Sequence, residues 1–182
     1  MGKLHDAITP RLADFMAAQP VFFVATAPLS GDGHVNVSPR GTRGTFAVLD
    51  ERRVAWLDLT GSGIETISHL RENGRITLMF CAFDGPATIV RLHGTGRVVV
   101  PGDEAWAGLA GHFPTLPGAR AIIVVTAQRV SDSCGFTVPE MDYVRDRDLL
   151  RSWADRKSPE ELDTYRRDRN AESIDGLPGY PS

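Results

Sequence analysis

Short strand-like segments joined by turns make up most of the chain up to residue 134, and they constrain the fold more than any other feature. Apolar or alternating runs occupy residues 21–29, 34–41, 45–50, 54–59, 75–83, 88–100 and 119–133. Only one helical segment interrupts the first five of these runs, whereas a doubly wound parallel sheet alternates strand and helix throughout. We therefore predict a mainly β (α+β) protein, an antiparallel barrel of at least six strands with peripheral helices.

Helical patterns stand before, within and after this series of strands. Thr9 and Pro10 are typical of an N-cap and a first helical position, so a helix is expected to open the chain. The segment after the turn at 60–63 has an apolar stripe at helical spacing and should run to about Glu72. From Arg145 onward the sequence is helical and charged, and it ends in a loop-like tail.

Two glycines interrupt the alternating strand at 88–100. Gly94 and Gly96 occupy positions on the face that also carries Val90 and Leu92. Glycine inside a strand favours a bend or a close approach of another backbone, as at the corner of a barrel.

Composition excludes several classes of protein. A length of 182 residues with 42% hydrophobic content suits one globular domain. A net charge of −3 argues against nucleic acid as the main partner. The N-terminus lacks the apolar core of a signal peptide, and no apolar run reaches the roughly 20 residues of a membrane span. We expect a soluble cytoplasmic protein that binds neither membrane nor nucleic acid.

Cysteine and histidine spacing does not predict a metal site. Cys81 and Cys134 lie 53 positions apart, which suits a reducing compartment and gives no disulfide framework. The five histidines stand in no H-x-H, HExxH or Cys-x-x-Cys pattern. Cys134 and Gly135 follow a long strand, where the thiol is either reactive or part of a small-residue turn.

The stretch "DLTGSGIETISHL" (58–70) permits two interpretations. Ser62 and Glu65 have the spacing of a capping box, in which each side chain binds the backbone amide of the other residue. Alternatively, Thr60, Ser62 and the glycines beside them offer hydroxyls and bare amides at a positive helix end, which is an anion site. Glu65 opposes the second interpretation, because its carboxylate would repel a phosphate unless it points away.

Two arginines could supply the cation that an anion site needs. Arg40 and Arg43 lie in "SPRGTRGT" (38–45), on or beside a strand that could pair near the turn. A guanidinium is suited to bidentate phosphate binding, although a solvated barrel rim explains these arginines equally well. An arginine-bearing strand next to a helix N-terminus is more specific than either feature alone.

Together these stretches resemble the pyridoxamine 5′-phosphate oxidase-like family of FMN-binding split barrels, and within it a bacterial branch of proteins named as oxidases. The matching blocks are "HVNVSPRGT", "VAWLDLTGSGIETISHLRENGRITLMFCAFDGPATIVRLHGTGRVV", "RAIIVVTAQRVSDSCGFTVP" and "SIDGLPG". The resemblance implies a six-stranded split barrel over residues 1–145, and a helical extension and tail over 146–182 that packs on the same domain or on a dimer partner. It further implies a homodimer with FMN at the interface.

The resemblance also implies a set of cofactor-binding residues: Pro39, Arg40, Gly41, Thr42, Asp58, Leu59, Thr60, Gly61, Ser62, Gly63, Thr66, Cys134 and Gly135. Cys134 and Gly135, or the segment 80–83, would reach the flavin of the partner subunit. No side chain stands out as a general acid or base, which suits a reaction carried by the cofactor.

The chain departs from the vitamin B6 oxidases of this family in two places. It has "GSG" where they carry a basic pair, and it ends "LPGYPS" where they carry a substrate-binding Arg-Leu segment. These departures argue against pyridoxamine phosphate as the substrate, and the fold also hosts F420, haem or no cofactor. We expect an FMN-dependent oxidoreductase acting on a small molecule. The alternatives are an F420-dependent reductase, a flavin-binding redox carrier without enzymatic activity, and an interaction protein that has lost its cofactor.

Overall fold

A computed structural model describes residues 2–180 of the chain, which form one curled antiparallel sheet with helices around it. The eight strands of this described part are β1 (Lys3–His5), β2 (Val21–Thr26), β3 (Asn36–Gly41), β4 (Phe46–Val48), β5 (Arg53–Leu59), β6 (Arg75–Cys81), β7 (Thr88–Val99) and β8 (Ala119–Cys134). Its five helices are α1 (Pro10–Ala18), α2 (Glu65–Glu72), α3 (Trp106–Ala110), α4 (Leu149–Asp155) and α5 (Pro159–Arg169).

The sheet confirms the predicted split barrel. Its strand order is β3-β2-β6-β7-β8-β5-β4, and β1 pairs with β8 beside this path. Six of the strands in residues 2–180 have six residues or more, as predicted, while β1 and β4 add three residues each. Although β3 and β5 stand five places apart in the order, Nε of Arg40 on β3 lies 3.5 Å from Oδ1 of Asp58 on β5. The sheet therefore curls until two distant strands meet.

Strand β8 is the longest element and carries two bulges that let it bend around the barrel. It pairs with β7, β5 and β1. Its register against β5 shifts at Arg120, and its register against β7 shifts at Gln128. Each shift leaves one extra residue in β8, which kinks the strand and changes the direction of the local side chains.

The core fills the barrel and extends under α1 and α2. Trp56, Phe80 and Leu92 from the strands are buried together with Leu12 of α1 and Ile67 of α2. A smaller apolar cluster lies on the other side of β5, β7 and β8, where α3 and the loop after it pack. Burial at both faces explains why "AIIVV" in β8 is apolar without alternation.

The start of α1 and the end of α2 lie where the sequence predicts. The Thr9 hydroxyl accepts a hydrogen bond from the amide of Leu12, and α1 starts at Pro10. Helix α2 ends at Glu72, and Gly74 follows with a φ of 72°. Within the part of the chain that the structure describes, no helix has both the length and the apolarity needed to cross a bilayer. The boundary between residues 145 and 146 stays a prediction.

The two glycines of β7 lie at close approaches, as predicted. A methyl group on Gly94 would overlap the backbone carbonyl oxygen of Thr126 in β8, at the register shift between the strands. A methyl group on Gly96 would lie 2.7 Å from the side chain of Leu70 in α2. Only glycine lets the strand and its neighbours pack this closely.

Gly94→Ala should therefore destabilise the fold by about 1–3 kcal/mol, because the backbone of β8 has to move to admit the methyl group. Gly31→Ala is the matched control, since no atom lies within 4 Å of the added carbon there. The control should be neutral or slightly stabilising. Equilibrium urea unfolding measures both variants, and equal midpoints would contradict the close approach.

Candidate functional site

A cleft of about 440 Å³ opens where the end of β3, the end of β5 and the start of α2 meet. Small-molecule sites usually have volumes of about 300–1,000 Å³. Most of the predicted cofactor-binding residues line this one cleft: Pro39, Arg40, Gly41, Thr42, Asp58, Leu59, Gly61, Ser62, Gly63 and Thr66. They come from segments far apart in sequence, and the curl of the sheet brings them together.

A buried ion cluster forms one wall of the cleft. Oδ2 of Asp58 accepts a hydrogen bond from Nε of Arg120 at 2.7 Å, and Oδ1 faces Arg40. The side chains of Asp58 and Arg120 are each 3% exposed, so both charges depend on one another for compensation. Two arginines and one aspartate leave the cluster with one net positive charge.

The Arg40 guanidinium is only loosely held. Its Nε is buried and makes no hydrogen bond within the described chain, since the contact to Asp58 is longer than a good one. Nη1 donates to the carbonyl of Pro39 at 3.1 Å, and Nη2 lies 3.5 Å from Oγ1 of Thr66. The side chain is 25% exposed, so the guanidinium keeps donors for a ligand in the cleft.

Arg120 and Asn170 hold the backbone of the turn between β5 and α2. Nη2 of Arg120 donates to the carbonyl of Gly63 at 2.7 Å, and Nη1 donates to Oδ1 of Asn170 at 2.8 Å. Nδ2 of Asn170 donates to the carbonyls of Gly61 at 3.0 Å and Ser62 at 3.3 Å. Three consecutive carbonyls are therefore bound from the same side.

The amides of the turn consequently point the other way. In a trans peptide the carbonyl of one residue and the amide of the next lie on opposite sides. The amides of Ser62 and Gly63 are thus directed away from Arg120 and Asn170, and neither donates to an acceptor in the part of the chain described. A carbon added to Gly61 would meet no atom within 4 Å, so a ligand has room to approach the backbone there, whereas a carbon added to Gly63 would lie 2.9 Å from Oε2 of Glu65.

The predicted capping box at Ser62 is wrong. The N-cap of α2 is Ile64, and its amide donates to Oε2 of Glu65 at 3.1 Å, while the amide of Ile174 lies 3.4 Å from Oε1. The physical reason is that an N-cap uses its own carbonyl for the first helical hydrogen bond, whereas the carbonyl of Ser62 is bound by Asn170. Glu65 nevertheless lines the cleft, at the end of α2.

Three predicted residues do not line the cleft. Thr60 is buried behind it, where its hydroxyl donates to the carbonyl of Gly118 at 2.7 Å and accepts from Nε of Arg166 at 2.9 Å. Cys134 and Gly135 lie at the far end of β8, opposite Thr88 of β7. Their contact with a partner subunit stays a prediction.

The second arginine of the sequence hypothesis faces a different cavity. The Arg43 guanidinium stacks 4.6 Å from the centre of the Tyr143 ring, in a neighbouring cavity of about 590 Å³. The two cavities share Pro39, Gly41 and Thr42 as a common wall. Arg40 alone of the predicted pair reaches the cleft.

A chain of polar side chains links the cleft to the interior. The side-chain Nδ2 of Asn36 donates to Oγ1 of Thr66 at 3.1 Å and to Oγ1 of Thr26 at 3.0 Å. Thr26 in turn contacts Nδ1 of His69 at 3.0 Å, deep under α2. Burial lowers the pKa of His69 below its ordinary value of about 6.5, although nearby carboxylates oppose the shift.

Arg120, Arg166 and Asn170 are the residues that sequence reasoning missed. Arg120 does have a signal, because it is a charged residue within a strand that is otherwise apolar from 119 to 125. Arg166 and Asn170 lie in a charged helix and at its C-cap, where polar residues are ordinary. Their role is visible only in their contacts with Thr60 and Gly61, which lie about a hundred positions earlier in the sequence.

Comparison with known proteins places the chain among related sequences. A family model described as pyridoxamine 5′-phosphate oxidase matches residues 8–134. The pyridoxamine 5′-phosphate oxidase family protein ustO of Aspergillus flavus is 42% identical over an alignment of 198 residues. The alignment covers 100% of this chain and 79% of that protein. Since this relative is fungal, the expected bacterial branch stays a prediction.

Two solved structures share the fold. HupZ of Group A Streptococcus superposes with a TM-score of 0.52 at 20% identity, covering 68% of this chain and 91% of that one. A protein from Lactobacillus delbrueckii named as a pyridoxamine 5′-phosphate oxidase gives a TM-score of 0.53 at 20% identity, with coverage of 70% and 98%. At such identities the likeness concerns the fold alone.

The buried imidazole of His69 predicts a loss of stability in mild acid. Because the fold lowers its pKa, the unfolded chain takes up a proton at a higher pH than the folded chain does. The contribution of the neutral His69 to stability is therefore fully present above about pH 6.5, the ordinary histidine pKa. It is lost as the pH drops through the lower pKa that His69 has in the folded chain. His69→Gln should flatten the dependence of the melting temperature on pH between about 7.5 and 5.5; an unchanged slope would contradict this origin.

Proposed function

Because the chain belongs to the pyridoxamine 5′-phosphate oxidase family, we propose that it is an oxidoreductase that binds FMN in the cleft between β3, β5 and α2. The observation that carries this proposal is the convergence of three kinds of donor on one cleft. They are the loosely held guanidinium of Arg40, the hydroxyl of Thr66 and the two outward amides of Ser62 and Gly63.

These donors fit the phosphate of FMN. A guanidinium matches the geometry of phosphate oxygens, and its bonds to an anion are stronger than neutral ones. Backbone amides beside a helix N-terminus add further donors. We place the phosphate on the Arg40 side of the turn, because the Glu65 carboxylate occupies the end of α2.

The residues of the cleft bind and orient rather than transfer protons. Asp58 and Glu65 are the carboxylates among the described lining residues, and each accepts hydrogen bonds from its own surroundings. When bound, the isoalloxazine ring of FMN would supply the hydride chemistry. Asp58 keeps Arg40 near the cleft, and Arg120 and Asn170 hold the turn.

The proposal includes a cytoplasmic homodimer with the flavin at its interface. Val37 on the edge strand β3 is 64% exposed and Leu150 of α4 is 41% exposed, and both line the cleft. Apolar side chains at the rim of a site favour cover by another surface. A second copy would supply that surface, with Cys134 and Gly135 as candidate contacts to the flavin, and a small-molecule substrate would enter beside the ring.

An absorbance spectrum tests the cofactor. Protein purified after incubation with FMN should retain bands at about 370 and 450 nm, which are typical of an oxidised flavin. A protein that stays colourless after this treatment would refute the proposal. Turnover of reduced nicotinamide or oxygen by the loaded protein should then exceed that of free FMN, and a rate equal to free FMN would indicate a carrier instead.

Arg40→Ala should weaken FMN binding by about 1.5–3 kcal/mol, because the phosphate loses a charged donor. Arg53→Ala is the control, since this exposed arginine pairs with Asp50 in the turn before β5. Titration of the flavin fluorescence measures both affinities. Equal affinities in the two variants would move Arg40 from the binding site to the rim.

A further inference from the structure

We infer that Asn170 is a positioning residue for the phosphate of the cofactor, so that the C-terminal segment is part of the flavin site. The inference rests on the proposed function, since it assumes that FMN occupies the cleft. Asn170 lies beyond residues 8–134, which the family model matches, and it belongs to none of the predicted binding residues. It does not line the cleft and acts through the turn.

The hydrogen bonds of Asn170 set the direction in which the amides of the turn point. Asn170 is completely buried, and it is the group that binds the carbonyls of both Gly61 and Ser62. With these carbonyls held inward, the following amides of Ser62 and Gly63 have to face outward. Without Asn170, the Gly61 carbonyl would keep only a long contact of 3.4 Å from Nη1 of Arg120, and the Ser62 carbonyl would keep no partner in the described chain. These peptides could then rotate and turn a carbonyl oxygen toward the phosphate, which would repel it.

Asn170 is itself fixed from several sides. Its Oδ1 accepts from Arg120, whose own position is set by Asp58. Its backbone amide donates to the carbonyl of Arg166 at 2.8 Å, and its carbonyl accepts from the amide of Tyr180 at 2.6 Å. A side chain this constrained holds a geometry rather than merely filling space.

The segment after Asn170 runs along α2 from its first turn to its last. The amide of Ile174 reaches Glu65, the Ser68 hydroxyl reaches the carbonyl of Leu177, and Arg71 donates to the carbonyl of Gly179. Gly179 packs so closely on Asn170 and Ile64 that a methyl group there would overlap both. The tail thus keeps Asn170 in place over the turn.

The test compares FMN with riboflavin, which lacks the phosphate. In Asn170→Leu the side chain keeps its approximate size and stays uncharged, but it loses the amide group that binds the carbonyls of Gly61 and Ser62. The ratio of FMN affinity to riboflavin affinity should fall about tenfold or more, because the phosphate no longer has the outward amides as donors. A role in stability alone would weaken both ligands equally and leave this ratio unchanged.

Ser158→Ala is the matched control. The Ser158 hydroxyl caps the N-terminus of α5 and accepts from the amide of Glu161, so its loss weakens the helix that carries Asn170 without touching the turn. This variant should keep the FMN-to-riboflavin ratio of the wild-type protein. An equal fall in both variants would overturn the positioning role.

Amide NMR of the wild-type protein keeps the inference testable even when Asn170→Leu does not fold. The resonances of Ser62 and Gly63 should shift on addition of FMN and stay in place on addition of riboflavin. Unmoved resonances, or an unchanged affinity ratio in Asn170→Leu, would overturn the inference while FMN binding itself upheld the proposed function. A wild-type protein that binds neither flavin would refute the proposed function, and the inference with it.

Discussion

The carboxylate of Asp58 lies between two guanidinium groups, and the candidate site is built around this cluster. Arg40 comes from the edge strand β3 and Arg120 from the central strand β8, while Asp58 ends β5. A buried charge is tolerated only where opposite charge and hydrogen bonds compensate for lost water. The ends of β3 and β5 come together at this cluster, and the cleft lies where they meet.

Strand β8 reconciles two demands that conflict in a regular strand. Its apolar run has to fill space on both faces of the sheet, yet the site needs a cation at the same place. The bulge at Arg120 meets both demands, because one extra residue changes the direction of a single side chain and leaves the pairing on either side intact. The guanidinium then serves Asp58, Asn170 and the turn together.

The sequence predicts well what depends on local pattern. The opening helix, the six longer strands, the close approach at Gly94 and the clustering of Arg40 with the turn follow from periodicity, glycine placement and family-like blocks. The capping box at Ser62 fails because a contact from Asn170, over a hundred positions away, takes the carbonyl that a cap would need. Arg43 and Thr60 were expected beside a ligand, but a neighbouring aromatic ring and a buried carbonyl bind them instead. Such competition between partners is decided in three dimensions and leaves no local signal.

The bridge between Arg120 and Asn170 has a consequence for how such chains diverge. The two side chains depend on each other. The Arg120 guanidinium donates to the amide oxygen of Asn170, and the bulge in β8 directs this guanidinium toward Asn170. A lineage that replaces one of them removes one reason to retain the other. Across related sequences the two positions should therefore tend to change as a pair, together with the length of β8 that creates the bulge, even though most of β8 and the helices α4 and α5 separate them along the chain.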